Sequence, residues 1–324
     1  MITLHQAGYH GIALPDYGIG LDGSNDSTSC VFTSHAHADH IPRTNGQQVY
    51  ATPATSRLMS LRGYQEPITE TEYYQPVETD RARITFYPAG HILGSAMIFV
   101  ETDEGDLLYS GDCRTPPSPA SEGFDYPENI DYLIVEATFG LPIYRWDSHE
   151  VLFDQIRKFA SDTLNQDATP VFFCYNLGKA QEVMHALAPL QQRVQIHGAG
   201  YPLCSVYDEF DINLGNYEAY NRETVKGSIL ITPSNTRDSG MLNHIKPVKT
   251  AYVSGWAAVE SRRTQLNVDQ LIPLSDHLDF FELIEWCKKL HPRHVYITHT
   301  PNSDVVMHYL SQEGISSSGL FSSM

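Results

Sequence analysis

The chain is poor in cysteine and in basic side chains, and it has no long apolar run. Each shortage excludes something. Its five cysteines (Cys30, Cys113, Cys174, Cys204, Cys287) are scattered, odd in number and never spaced as Cys-x-x-Cys. That pattern argues against a disulfide framework and suits small core residues of a reducing, cytoplasmic compartment. No stretch approaches the roughly 18 consecutive apolar residues of a membrane span, and the first residues lack the basic flank and apolar run of a secretory signal. Neither a membrane partner nor export is expected. Lys and Arg number 21 against 39 Asp and Glu, a net charge of −18. Such a chain repels nucleic acid at long range, which disfavours a non-specific duplex binder but not an enzyme with a locally positive cleft. Repeats and low-complexity tracts are also lacking. The 324 residues, 41% of them hydrophobic, suit one large domain or two moderate ones with a sizeable core.

What the chain does have is histidine in one place. The segment Thr33-Ser34-His35-Ala36-His37-Ala38-Asp39-His40 directly follows the apolar run Cys30-Val31-Phe32. The run reads as a buried strand and the segment as the loop leaving its end. Imidazole and carboxylate together suit zinc and its first-row neighbours. Ligands so close in sequence cannot all reach one tetrahedral ion without severe backbone strain. Two ions sharing the loop is the easier geometry, with His35 and His37 facing one and Asp39 and His40 the other.

Further chemically capable residues also sit at predicted strand ends, where loops of a rigid sheet present them. Strands 11–14 and 19–22 flank a hairpin turn at 15–18. A strand at 48–51 leads to a helix over 53–61, with Thr52 as N-cap and Pro53 in its first turn. A strand over 83–87 ends at Gly90-His91. A hairpin over 95–110 ends at Gly111-Asp112, and a strand over 131–135 at Glu136. From about residue 147 strands and helices alternate, the sign of a parallel sheet with crossovers. This second domain is expected as an insertion over 147–263. The first style returns over 264–324, with Ser275-Asp276-His277, a helix over 279–290, and a strand ending at His299.

These motifs resemble those of a known family. His35-x-His37-x-Asp39-His40, His91 in Gly90-His91-Ile92-Leu93-Gly94-Ser95-Ala96, and Asp112 in Ser110-Gly111-Asp112 resemble the metallo-β-lactamase superfamily. Glu136 in Glu136-Ala137-Thr138-Phe139-Gly140, His277 and His299 are similar to the extra motifs of its β-CASP nuclease branch. Softer matches, among them Phe139-Gly140-Leu141-Pro142, Gly178-Lys179-Ala180-Gln181 and Leu274-Ser275-Asp276-His277, resemble the bacterial ligase-associated DNA exonuclease family. Two positions depart from the pattern: Thr300 follows the last histidine where glycine is usual, and Ala137 stands where a small hydroxyl residue is common.

The resemblance implies an α/β fold, a metallo-β-lactamase αββα sandwich over 1–146 and 264–324 with an inserted β-CASP α/β cap over 147–263. It implies two divalent metal ions, zinc or else manganese. One would take His35, His37 and His91, the other Asp39, His40 and His299, with Asp112 between them. It further implies a DNA phosphodiesterase, an exonuclease of repair, with a DNA ligase and a helicase as partners. Phosphodiester cleavage also needs a proton on the departing oxygen. His277 is the expected general acid and Glu136 its orienting carboxylate, with Asp39 counted among the catalytic residues as well as the ligands. For substrate, Lys179 at a helix start, Ser234 and Arg237 after a strand end, and the adjacent Arg262 and Arg263 are the expected phosphate contacts. Tyr175 and Trp256 have rings suited either to base stacking or to packing in the core. An RNA-processing nuclease of the same branch would use the same metals and acid. A small-molecule metallo-hydrolase would need neither the insertion nor the His277/Glu136 pair.

Overall fold

A computed structural model of the protein describes residues 2–8 and 10–321. The chain forms an α/β structure of two compact units: residues 1–145 with 277–324, and residues 146–276. The return to the first unit therefore falls at His277, not at 264 as the sequence suggested. The reason is strand pairing: Gln270–Ile272 lies parallel to Val248–Val253 and completes the sheet of the second unit.

The first unit holds two sheets. The six-stranded one runs in the order His5–Ala7, Gly11–Leu14, Ile19–Leu21, Cys30–Phe32, Gln48–Ala51, Ile68–Glu70. The seven-stranded one runs Ser317–Gly319, His294–Thr298, Tyr132–Glu136, Gly105–Tyr109, Ala96–Thr102, Ala82–Pro88, Val77–Glu78. Side chains alternate faces along a strand, and here both faces are apolar. Ile98, Val100, Leu107, Tyr109 and Ile134 join Leu14, Ile19, Leu21 and Phe32 of the other sheet in one core. Their neighbours Met97, Phe99, Leu108, Leu133 and Val135 face Leu283, Trp286, Leu290, Val306 and Leu310 of the helices Phe280–Leu290 and Ser303–Gln312. A strand reading apolar at every position is thus one buried on both sides.

Direction matters more for the site than packing does. Gly105–Tyr109, Tyr132–Glu136 and His294–Thr298 are parallel neighbours, so their C-terminal ends share one edge. Ala82–Pro88 is antiparallel to Ala96–Thr102, which is antiparallel to Gly105–Tyr109. Its C-terminal end therefore reaches the same edge. His91, Asp112 and His299 lie in loops that follow three of these ends, and Glu136 is the last residue of the fourth strand.

The second unit is a six-stranded, wholly parallel sheet: Tyr217–Ala219, Val194–Ile196, Ile229–Thr232, Thr169–Phe173, Val248–Val253, Gln270–Ile272. Helix His149–Leu164 is capped by Ser148, whose hydroxyl accepts from the Val151 N–H. All five cysteines are buried and free. Among the described residues no helix is long and apolar enough to cross a membrane.

Candidate metal centre

The loop after Cys30–Phe32 is held open by buried polar contacts. Asp22, just past the strand Ile19–Leu21, accepts hydrogen bonds from the Ser34 N–H and hydroxyl, both at 2.6 Å, and from the Tyr109 hydroxyl at 2.9 Å. The same carboxylate lies 2.8 Å from His40 Nδ1. Ser34 Oγ in turn sits 2.9 Å from His35 Nδ1. One buried aspartate therefore orients two histidines, and both turn Nε2 inward.

The second loop is locked to the helix Pro53–Leu61. Ser95 Oγ accepts from the His91 and Ile92 N–H groups, and Gly94 O accepts from the hydroxyls of Thr52 and Thr55 at 2.7 and 2.8 Å. Gly94 has φ +80°, and a Cβ there would come within 2.6 Å of the Thr55 nitrogen. Gly111 plays the same part before Asp112: its φ is +53°, and a Cβ would meet Ser34 Cβ at 2.7 Å. Only glycine permits these approaches.

The donor atoms of His35, His37, His91 and Asp112 all lie within 4.8 Å of one another, as do those of His40, Asp112 and His299. His37 Nδ1 is 3.1 Å from His35 Nε2 and 3.1 Å from His91 Nε2. Nitrogens arranged tetrahedrally about a zinc ion, at the usual bond length, would stand about 3.3 Å apart. Asp112 Oδ2 lies 3.5 Å from His35 Nε2, 3.8 Å from His91 Nε2 and 3.6 Å from His40 Nε2. One carboxylate oxygen is thus equidistant from two groups of imidazoles. Asp112 Oδ1 and His299 Nε2 are buried without hydrogen-bond partners, and His299 Nδ1 stands 3.3 Å from Asp112 Oδ1. Buried polar atoms left unpaired are costly. A pair of cations would satisfy them, so the residues fit a dinuclear centre.

Electrostatics separates the two groups. Burial, and then His40, hold His35 well below the ordinary imidazole pKa. Burial also opposes charge on His40, but Asp112 and Asp22 outweigh it and raise its pKa to about 9. Burial likewise opposes charge on Asp112, yet His40, His277, His299 and His35 keep it well below the carboxylate range.

Beside this cluster, His277 Nδ1 lies 2.9 Å from Glu136 Oε1. Glu136 is fully buried, and its other oxygen accepts from the Thr138 N–H at 2.9 Å. Asp112, Glu136 and His277 form a further group within 4.8 Å. The left-handed backbone of this region falls on His299 itself, at φ +57°, and not on Thr300.

Two expected residues are placed otherwise. Asp39 is absent from the His40, Asp112, His299 group. Its carboxylate is half exposed and lies 3.7 Å from His10 Nε2. The His40 N–H bonds to His37 O, and that tight turn carries His40 inward and its neighbour outward. Lys179 is not a surface cation. Helix Lys179–Leu187 is buried at every position except His185, and Lys179 Nζ meets Glu182 at 2.5 Å and Asp276 at 3.6 Å.

The other expected substrate contacts lie in the second unit. Ser234 is exposed. Arg237 donates to Leu266 O and Asp238, Arg262 to Gln265, and Arg263 pairs with Glu260 at 3.7 Å. Tyr175 is 63% exposed, so it is not a core residue. Trp256 is half-buried.

Asp22, Ser34 and His10 were not legible as site residues. Asp22 looked like a strand-end aspartate, and its role comes from partners up to 87 positions away. His10 stacks edge-on to His299, with ring centroids 4.4 Å apart.

No family model matches the chain. It is 32% identical over 293 residues to a protein of Opitutus terrae described as a probable DNA ligase, a match that covers 90% of this chain and 28% of that one. It is 31% identical over 195 residues to an RNase J-like protein of Methanocaldococcus jannaschii, covering 52% of this chain and 46% of that one. The chain thus spans less than half of either relative. A crystal structure of a protein of unknown function from Enterococcus faecalis is similar in fold, with TM-score 0.57 at 14% identity, covering 87% of this chain and 79% of that one.

Proposed function

Because the chain is a relative of the β-CASP nucleases of the metallo-β-lactamase superfamily, we propose that it is a dinuclear-metal-dependent nuclease that hydrolyses DNA phosphodiester bonds as an exonuclease. The observation that carries this reading is Asp112 Oδ2, 3.5 to 3.8 Å from His35, His40 and His91 at once. His35, His37, His91 and Asp112 would hold one cation, and His40, His299 and Asp112 the other. Asp39 would join the second only by turning from His10. Bound there, two divalent ions, zinc or manganese, supply an acidified water and charge stabilisation for the phosphate.

The chain's own residues do the rest. Asp22 and Ser34 hold the His40 and His35 rings in register. Glu136, fixed by the Thr138 N–H, accepts from His277 Nδ1, which stabilises imidazolium and leaves the Nε2 proton for the departing oxygen. The arrangement of two sheets with helices outside supports the metallo-β-lactamase reading of residues 1–145 and 277–324, and the parallel sheet of 146–276 the β-CASP one. Ser234, Arg262 and Arg263 remain as phosphate contacts in this proposal; Lys179 does not. The ligase-named relative, matched along 90% of this chain, favours DNA as substrate and a ligase as partner; a helicase partner and a cytoplasmic role in repair belong to the same proposal. The RNase J-like relative supports a second reading, RNA processing at the same centre.

The test is a time course on end-labelled single- and double-stranded DNA and RNA, with zinc or manganese and with chelator. DNA shortened from an end, and stopped by chelator, is expected. Preferential loss of RNA would move the assignment to the second reading. No cleavage of any strand by metal-loaded protein would overturn both.

A further inference from the structure

Next to the proposed centre lies a second, unassigned feature. A cleft of about 440 Å³ is lined by Ala38, Arg43, Thr44, Arg62, Tyr64 and Gln65 among others. That is within the range of small-ligand pockets. It begins at Ala38, inside the histidine loop. Arg43 follows that loop by three residues, and Arg62 is the C-cap of the helix Pro53–Leu61. The N-terminus of that same helix is fastened to the His91 loop through Gly94 O. Arg43 therefore stands just past the loop that carries His37 and His40, and Arg62 at the end of the helix to which the His91 loop is fastened.

In a chain of net charge −18, most basic side chains find an acid: Arg81 with Asp103, Arg83 with Glu78, Arg193 with Glu218, Arg293 with Asp131. The guanidinium groups of Arg43 and Arg62 make no ion pair or hydrogen bond among the described residues. Burial lowers the Arg62 pKa while Asp39 raises it, which sets this cation within the field of the histidine loop. Tyr64 lines the same cleft, half-buried, its hydroxyl 3.2 Å from Thr44 Oγ1. Two planar cations and an aromatic ring along a short cleft match the backbone and base of a single strand, where guanidinium forks phosphate and the ring takes a base.

We infer that the Arg43–Arg62–Tyr64 cleft binds the phosphate and base of the nucleotide flanking the bond at the metal centre. This rests on the nuclease reading above and names a substrate subsite for it.

The experiment compares three proteins on a fluorescent single-stranded oligonucleotide: wild type, Arg43→Ala with Arg62→Ala, and a charge-matched control, Arg222→Ala with Lys226→Ala, whose residues are exposed in the other unit. The cleft variant should weaken binding on the order of tenfold per arginine. It should also flatten the slope of log affinity against log salt by about 1.4 for two lost phosphate contacts, with KM carrying the loss of activity and metal content staying at the wild-type value. Arg62→Lys, which keeps the charge and loses the fork, should recover part of the affinity. If the cleft variant matches the control in affinity and slope while wild type cleaves the strand, this inference is wrong and the nuclease reading stands. If wild type neither binds nor cleaves any strand, both fall.

Discussion

Two buried polar clusters, one in each unit, differ in where their positive charge comes from. In the second unit Glu182 and Asp276 face Lys179, and His149 Nε2 lies 3.3 Å from Glu182. Burial opposes charge on Glu182, but Lys179 and then His149 lower its pKa. The chain supplies its own cation there. In the first unit, imidazole nitrogens face one another across about 3 Å around Asp112. The two ligand groups consist of imidazoles sharing one carboxylate. A cluster that carries its counter-charge is a structural pair. A cluster of converging donors whose positive charge rests on imidazoles able to release their protons is a place for an ion. The difference separates Lys179, expected from the sequence as a substrate contact, from Asp112, expected as the ligand between two metals.

That contrast can be broken by mutation. The largest effect is expected where chemistry is concerned: His277→Ala should lower turnover by about 10²- to 10⁴-fold and leave metal content intact by elemental analysis. Unchanged turnover would remove His277 from the mechanism. Next, Lys179→Met leaves Glu182 buried without its cation, which should cost about 3–5 kcal/mol of stability in a denaturant titration, with metal content unaffected in protein that remains folded. A stable Lys179→Met protein with weakened nucleic-acid binding would restore Lys179 as a substrate contact.

Asp22→Asn should reduce affinity at the His40 side about 10- to 100-fold, as removal of an orienting carboxylate does, read by competition with a chromophoric chelator. An unaltered affinity would mean that His40 needs no such anchor. The last effect is one of pH. A group with a raised pKa binds its proton below that value and releases it above. His40, with a pKa near 9, must lose a proton to accept a metal, so affinity at the His40 side should rise up to about tenfold per unit between pH 7 and 9 and then level. His35, held well below the ordinary value, is already neutral there. Isolating each side with His91→Ala or His40→Ala should show the slope on one and a flat profile on the other. Equal slopes would end the distinction between the two sides.

Much of this could be read from residues alone, because it depends on local order. Apolar runs ending at Phe32, Pro88, Tyr109, Glu136 and Thr298 are strands, and the capable residues follow their ends. Thr52 before Pro53 marks a helix start, and its hydroxyl accepts from the Thr55 N–H. Elsewhere local order misled. Gln270–Ile272 falls in the stretch read as the return of the first unit, and only pairing with Val248–Val253 places it in the second. Tyr175 reads as a core aromatic and is exposed.

By itself, then, the amino-acid order determined which segments become strands and which potential ligands stand at their tips, since both follow from side-chain periodicity and turn chemistry over a few residues. Tertiary structure alone decided which tips meet, through the shared direction of four strands. It also decided that Asp22 anchors His40, that Asp39 turns outward, and that Lys179 is neutralised inside its own unit. Those outcomes depend on through-space partners and on burial, which no local pattern encodes.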